Sequence, residues 1–215
     1  MKKLILFLSL VAISSSYGAF TVNMDAGLLK GPGGADTMVS DSTPPSTNGS
    51  LLLLIDEGAG NTLSNSLAPG QYVSGNNTIL AAGGFNSNSG THDETFTVFN
   101  FTNGTAGDLI ALRWFPNITL AQYQANATPS AGQTFGSYNP LAAGNGTNSP
   151  DGGDPWALPS SGTINLNFFT TDDAMGSQLS SRGFANFTVI PEPSVFALLA
   201  VGTIVAPFLS RRKKS

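Results

Sequence analysis

Between its two ends, the apolar residues of this chain come in short stretches, separated by clusters of Gly, Asn, Ser, Thr or Pro. No long segment of the body keeps a 3.6-residue period, so the pattern admits many short strands and little helix. The cleanest stretch runs from Ile164 to Thr170, where Ile164, Leu166 and Phe168 alternate with Asn165 and Asn167, one face for a core and one for water. Phe184 to Val189 reads similarly, with Ala185, Phe187 and Val189 on one face. Leu109 to Phe115 sets Ile110, Leu112 and Trp114 on one side and Arg113 on the other. Pro116 is expected to end that strand, because it has no N–H to give a ladder. Leu51 to Ile55 is apolar throughout and is expected to be buried on both faces. Glu94 to Phe101 loses its alternation at Val98 and Phe99, which a bulge or burial on both faces would each explain. Residues 136–163 carry few apolar side chains and read as a long surface loop, pinned to the body by Trp156.

Composition agrees with sheet. Only 10% of the 215 residues are charged, against about 25% in ordinary soluble domains. Exposed helix faces normally carry Glu, Lys and Arg, whereas uncharged Thr, Asn and Ser suit sheet surfaces and turns. The expected fold is all-β, a single β-sandwich-like domain of jelly-roll or immunoglobulin-like type over residues 19–189. Between those positions Lys30, Arg113 and Arg182 face twelve Asp and Glu, a formal charge of −9. Such a body has no basic patch to exchange for counterions, which argues against nucleic acid as a partner. Cysteine is absent, so disulfides, thiolate metal sites and cysteine catalysis are excluded.

The two ends differ from the body. Lys2 and Lys3 precede an apolar run from Leu4 to Ile13, the dimensions of a secretory signal helix. Ser16 and Gly18 supply the small residues for cleavage before Ala19, making residues 1–18 a signal peptide. At the other end, over residues 190–215, Pro191, Glu192 and Pro193 stop any strand, and Val195 to Leu209 follow as fifteen residues without a charge. As a helix that run spans ~22 Å, workable as a transmembrane segment in a hydrocarbon core of ~30 Å when flanking bases snorkel. Arg211, Arg212, Lys213 and Lys214 close the chain as a basic stop-transfer cluster held in the cytoplasm. A plain single-span anchor shares these physical features.

The order of Pro-Glu-Pro, short apolar helix and terminal bases resembles the PEP-CTERM sorting signal of Gram-negative bacteria. The resemblance implies that an exosortase recognises Pro191, Glu192 and Pro193 and removes the tail, that Val195 to Leu209 insert in the inner membrane, and that Arg211 to Lys214 retain the chain there. It implies export, with extracellular polysaccharide as a companion and the outer surface or matrix as destination. Two stretches of the body, Pro69-Gly70-Gln71-Tyr72 ahead of Gly75 and Gly107 to Pro116, loosely resemble the small β-rich ectodomains found before such tails.

A search for chemistry finds little. A Ser-His-Asp hydrolase needs a histidine base, and the chain owns only His92, with no G-x-S-x-G elbow beside it. His92, Asp93 and Glu94 are consecutive, so strand geometry would point them to alternate faces, and they read as a polar strand start. Asp151 and Asp154, spaced by two glycines, offer oxygen ligands for calcium but equally an ordinary turn. The adjacent pairs Asp56-Glu57 and Asp172-Asp173 are expected to be solvated at strand ends. Eight N-x-S/T sequons occur, at Asn48, Asn76, Asn100, Asn103, Asn117, Asn126, Asn145 and Asn186. The leading expectation is a non-catalytic structural or adhesive surface protein with no cofactor. The alternatives are a calcium-dependent carbohydrate-binding module and a carbohydrate-active hydrolase using two body carboxylates.

Overall fold

The computed structural model describes residues 19–26, 29–35, 37–43, 46–58, 63–88, 94–139, 156–159, 162–168 and 183–190. Over these residues the chain is all-β, with two sheets, one short α-helix and a single 3-10 turn at Pro32–Gly34. The first sheet joins β1 (Phe20–Ala26), β4 (Ser87–Asn88), β5 (Glu94–Phe101) and β8 (Gly162–Phe168) in the order β4-β5-β1-β8. The second joins β2 (Ser50–Asp56), β3 (Thr78–Gly84), β6 (Ile110–Thr119), β7 (Thr134–Tyr138) and β9 (Phe187–Thr188) in the order β3-β2-β6-β7-β9. Most neighbours are antiparallel, but β1 and β8 run parallel, with Val22 opposite Ile164. Helix α1 (Leu120–Gln124) follows β6 directly, started by a reciprocal capping box between Thr119 and Gln122.

Alternation explains the first sheet. Phe20, Val22 and Met24 of β1 are buried, as are Phe99 and Phe101 of β5 and Leu166 of β8, while Thr21 and Asn23 face out. On that outer face Thr21 Oγ1 donates to Asn100 Oδ1 at 2.9 Å and Asn23 Nδ2 to Asn165 Oδ1 at 2.7 Å, a polar ladder across three strands. The inward residues meet Leu52, Leu54, Ile110, Leu112 and Trp114 of the second sheet, so both sheets close over one core. Trp156 completes it, its ring 5.0 Å from Tyr138, and its carbonyl accepts the Ile110 N–H at 2.8 Å. The pin expected of Trp156 is therefore present.

The second sheet is apolar on both faces. Leu51, Leu53 and Ile55 turn away from the shared core and join Phe115, Ile118, Leu120, Phe135 and Val189 in a second cluster, covered by Leu67 and Tyr72 from the segment before β3. This is the two-sided burial that the unbroken Leu51 to Ile55 run requires.

Several expectations need correction. Pro116 does not end its strand: β6 continues to Thr119 through a register shift in which Leu51 pairs with Phe115 and Ser50 with Thr119. The bulge leaves the Pro116 carbonyl to accept Ser50 Oγ at 3.0 Å, so the missing N–H costs no ladder bond there. At Val98 and Phe99 there is neither bulge nor double burial, because β5 keeps unbroken register with β1 and Val98 is 44% exposed. Phe184 to Val189 is not one strand; Ala185 packs in the shared core and Phe187 and Val189 in the outer cluster, as the chain crosses between them. Residues 136–138, expected in a loop, belong to β7, with Tyr138 buried. The strand expected at Ile164 to Thr170 begins earlier, at Gly162. Among the described residues no helix is long and apolar enough to cross a membrane. The signal segment 1–18 and the segment 191–215 lie outside the described residues.

Candidate surface sites

Arg113 organises the outer side of the second sheet. It leaves β6 on the same face as Phe115 and is fully buried, its Cζ 5.0 Å from the Phe135 ring centroid. Nε donates to Ser137 Oγ at 2.9 Å, one terminal nitrogen to the Tyr72 carbonyl at 2.7 Å and the other to the Ser64 carbonyl at 2.6 Å. The fork thus ties β7 and the covering segment to β6 through neutral oxygens. Burial pushes its pKa down to about 10, so it remains a cation at neutral pH.

The segment that Arg113 holds brings Tyr72 against α1 and forms a surface cleft of about 360 Å³ lined by Tyr72, Tyr123, Gln124, Asn126, Ala127 and Thr128. Tyr72 packs edge-on to Phe115 at 5.2 Å and to Tyr123 at 5.0 Å. Its hydroxyl donates to the Ala127 carbonyl at 2.6 Å, and burial beside Tyr123 pushes its pKa up to about 12. The chain leaves α1 through Asn126, at φ 63, a left-handed position that Asn tolerates better than most residues. The lining holds no Asp, Glu, Lys, Arg or His. With the Tyr72 ring buried and its hydroxyl bonded to Ala127, the side chains the cleft offers are those of Tyr123, Gln124, Asn126 and Thr128.

A third feature is an acidic corner at the end of β2. Asp56 is half-buried and Glu57 only 1% exposed, so the expectation that both are solvated is wrong. The strand end is covered: the Glu57 N–H donates to the Leu109 carbonyl at 2.9 Å and Asn77 Nδ2 to the Glu57 carbonyl at 2.9 Å. Neither Glu57 carboxylate oxygen makes a well-formed hydrogen bond. Burial raises the Glu57 pKa, opposed by the nearby Asn139 amide and reinforced by the charge of Asp56. Asp56 is raised too, chiefly by burial, against the N–H of Gly58 at 2.7 Å and with Asp108 adding like charge and a shared hydrogen bond. Asp56 and Asp108 touch, so this pair lacks the spacing of ~5 Å or more that a glycosidic bond needs between two catalytic carboxyls.

Among the described residues no three His, Asp or Glu are grouped to hold a metal. Asp151 and Asp154, His92 and Asp93, Asp172 and Asp173, and the sorting residues Pro191, Glu192, Pro193 and Arg211 to Lys214 lie outside the described residues. Glu94 opens β5. Sequence reasoning missed the Arg113 fork and the tyrosine cleft. The signal for the first was visible, a lone base inside an otherwise apolar strand; the second depends on Tyr72 and Tyr123, fifty-one residues apart. No family model, no curated protein and no solved structure matches the chain.

Proposed function

We propose that the chain is an exported cell-surface or extracellular-matrix protein, sorted through its Pro-Glu-Pro tail by an exosortase, with a structural or adhesive role and no catalysis of its own. The observation that carries the reading is that the described strands and cores fall between the two terminal segments. Strand β1 starts at Phe20, one residue after the expected signal cleavage. Among the described residues the last backbone bonds are Val189 N–H to the Gln133 carbonyl at 2.9 Å and Ile190 N–H to the Leu67 carbonyl at 2.9 Å. The described core residues run from Phe20 to Val189, inside the interval between the two segments whose composition suits export and sorting. A single sandwich of jelly-roll or immunoglobulin-like type is the finer fold we attach to it.

For adhesion, the tyrosine cleft supplies the contact, with neutral saccharide as the ligand class. The sorting reading is tested by fractionation and mass analysis of the full chain and of Glu192→Ala in a host with an exosortase. Wild type is expected on the surface without its tail, and the variant full-length in the inner membrane. Equal processing of both would show that Glu192 is not read, and an intact tail on surface protein would reduce the segment to an anchor.

A further inference from the structure

The sorting reading does not absorb the sequons, and the cleft takes in one of them, Asn126-Ala127-Thr128. Seven of the eight carry Thr at the third position and one carries Ser, although Ser is as common as Thr in the chain. All seven described sequon asparagines, from Asn48 to Asn186, are exposed, as are Asn65 and Asn165, which begin no sequon, so exposure alone does not select among them.

Structure divides the seven. In five, at least one sequon residue belongs to a strand: Ser50 in β2, Thr78 in β3, Asn100 in β5, Asn117 in β6 and Thr188 in β9. Ser50, the hydroxyl partner of Asn48, is also fully buried, donating to the Pro116 carbonyl at 3.0 Å and accepting the Val39 N–H at 2.8 Å. The remaining two, Asn103-Gly104-Thr105 and Asn126-Ala127-Thr128, lie wholly outside strands, with Asn and Thr exposed in each. An amide nitrogen is a weak nucleophile, its lone pair shared with the carbonyl. An enzyme that uses it must bend the sequon so that both amide and hydroxyl enter its site, which a strand locked in a ladder cannot do.

We propose that Asn103 and Asn126 are attachment sites for N-linked glycans on the folded chain. The co-reactant is a sugar activated as a glycosyl diphosphate. Asparagine Nδ2 attacks the anomeric carbon, the bond from that carbon to the diphosphate oxygen breaks, the diphosphate leaves with the electron pair, and one amide proton passes to a base. Asn126 stands in the lining of the tyrosine cleft, so a sugar on it would project beside that cleft.

The test is peptide mass analysis of the full chain recovered from whole cells of its source, which makes the result independent of where the chain is sorted. Sugar is expected on the Asn103 and Asn126 peptides and not on the Asn48 peptide. Thr105→Ala should remove it from Asn103 and Thr105→Ser should retain it, both with unchanged thermal stability because the side chain is exposed. Sequence masses for both wild-type peptides, or modification that survives Thr105→Ala, overturn the proposal. Equal sugar on Asn48 overturns the claim that the folded chain is the acceptor.

Discussion

Replacing Arg113 by Ala would leave the Ser137 hydroxyl and the Tyr72 and Ser64 carbonyls without their donor and open a void over Phe135. A loss on the order of 3 kcal/mol is expected, read as a lower denaturant midpoint. Arg113→Lys should recover only part of it, since an ammonium lacks the planar fork that reaches three oxygens. Gly136 pairs with Trp114 across β6 and β7, and a Cβ there would meet the indole ring. Gly136→Ala should therefore cost about 1–3 kcal/mol and alter tryptophan fluorescence, because a buried Trp cannot shift freely. Glu57 predicts a pH dependence. Its folded pKa lies above the ordinary 4.5, so over that window the folded chain binds more protons than the unfolded one and stability falls as pH rises. Urea midpoints measured from pH about 4 to about 8 should decline in wild type, and Glu57→Gln should flatten much of the slope. A midpoint that rises with pH in wild type and not in the variant would give the opposite sign.

Among the elements, β6 shows why a proline rule failed. Pro116 lacks a donor, but the bulge against β2 takes it out of the ladder, and Ser50 uses the carbonyl it leaves. Ser50→Ala removes the hydroxyl that joins Val39 to Pro116 and should cost about 1–2 kcal/mol by thermal denaturation. An unchanged melting temperature would mean that the bulge holds without it. The strand β2 was legible because five consecutive aliphatic residues leave no polar face for water. By contrast Phe184 to Val189 has the alternation of a strand but divides its residues between two cores, a choice made by neighbours distant in sequence.

For the whole molecule, the described backbone bonds run as far as Val189 and Ile190. A chain of residues 19–190 should fold alone, with a circular dichroism spectrum of sheet and little helix and one thermal transition. A dominant helical spectrum, or no transition, would show that the body depends on its flanking segments. The surface of this unit is unusual in carrying Asn, Thr and Ser where most domains carry charges, and the first sheet uses them as hydrogen-bonded rungs between strands.

The sequence by itself determined the all-β class, the double burial of Leu51 to Ile55 and the pinning role of Trp156, because each follows from local alternation or from the cost of leaving a large apolar side chain in water. Tertiary structure alone decided that Arg113 is caged by carbonyls, that Glu57 is buried and that Tyr72 meets Tyr123. Those outcomes depend on which segment covers the second face of a sheet. Local periodicity shows that a face needs covering, and only the packed chain chooses the cover.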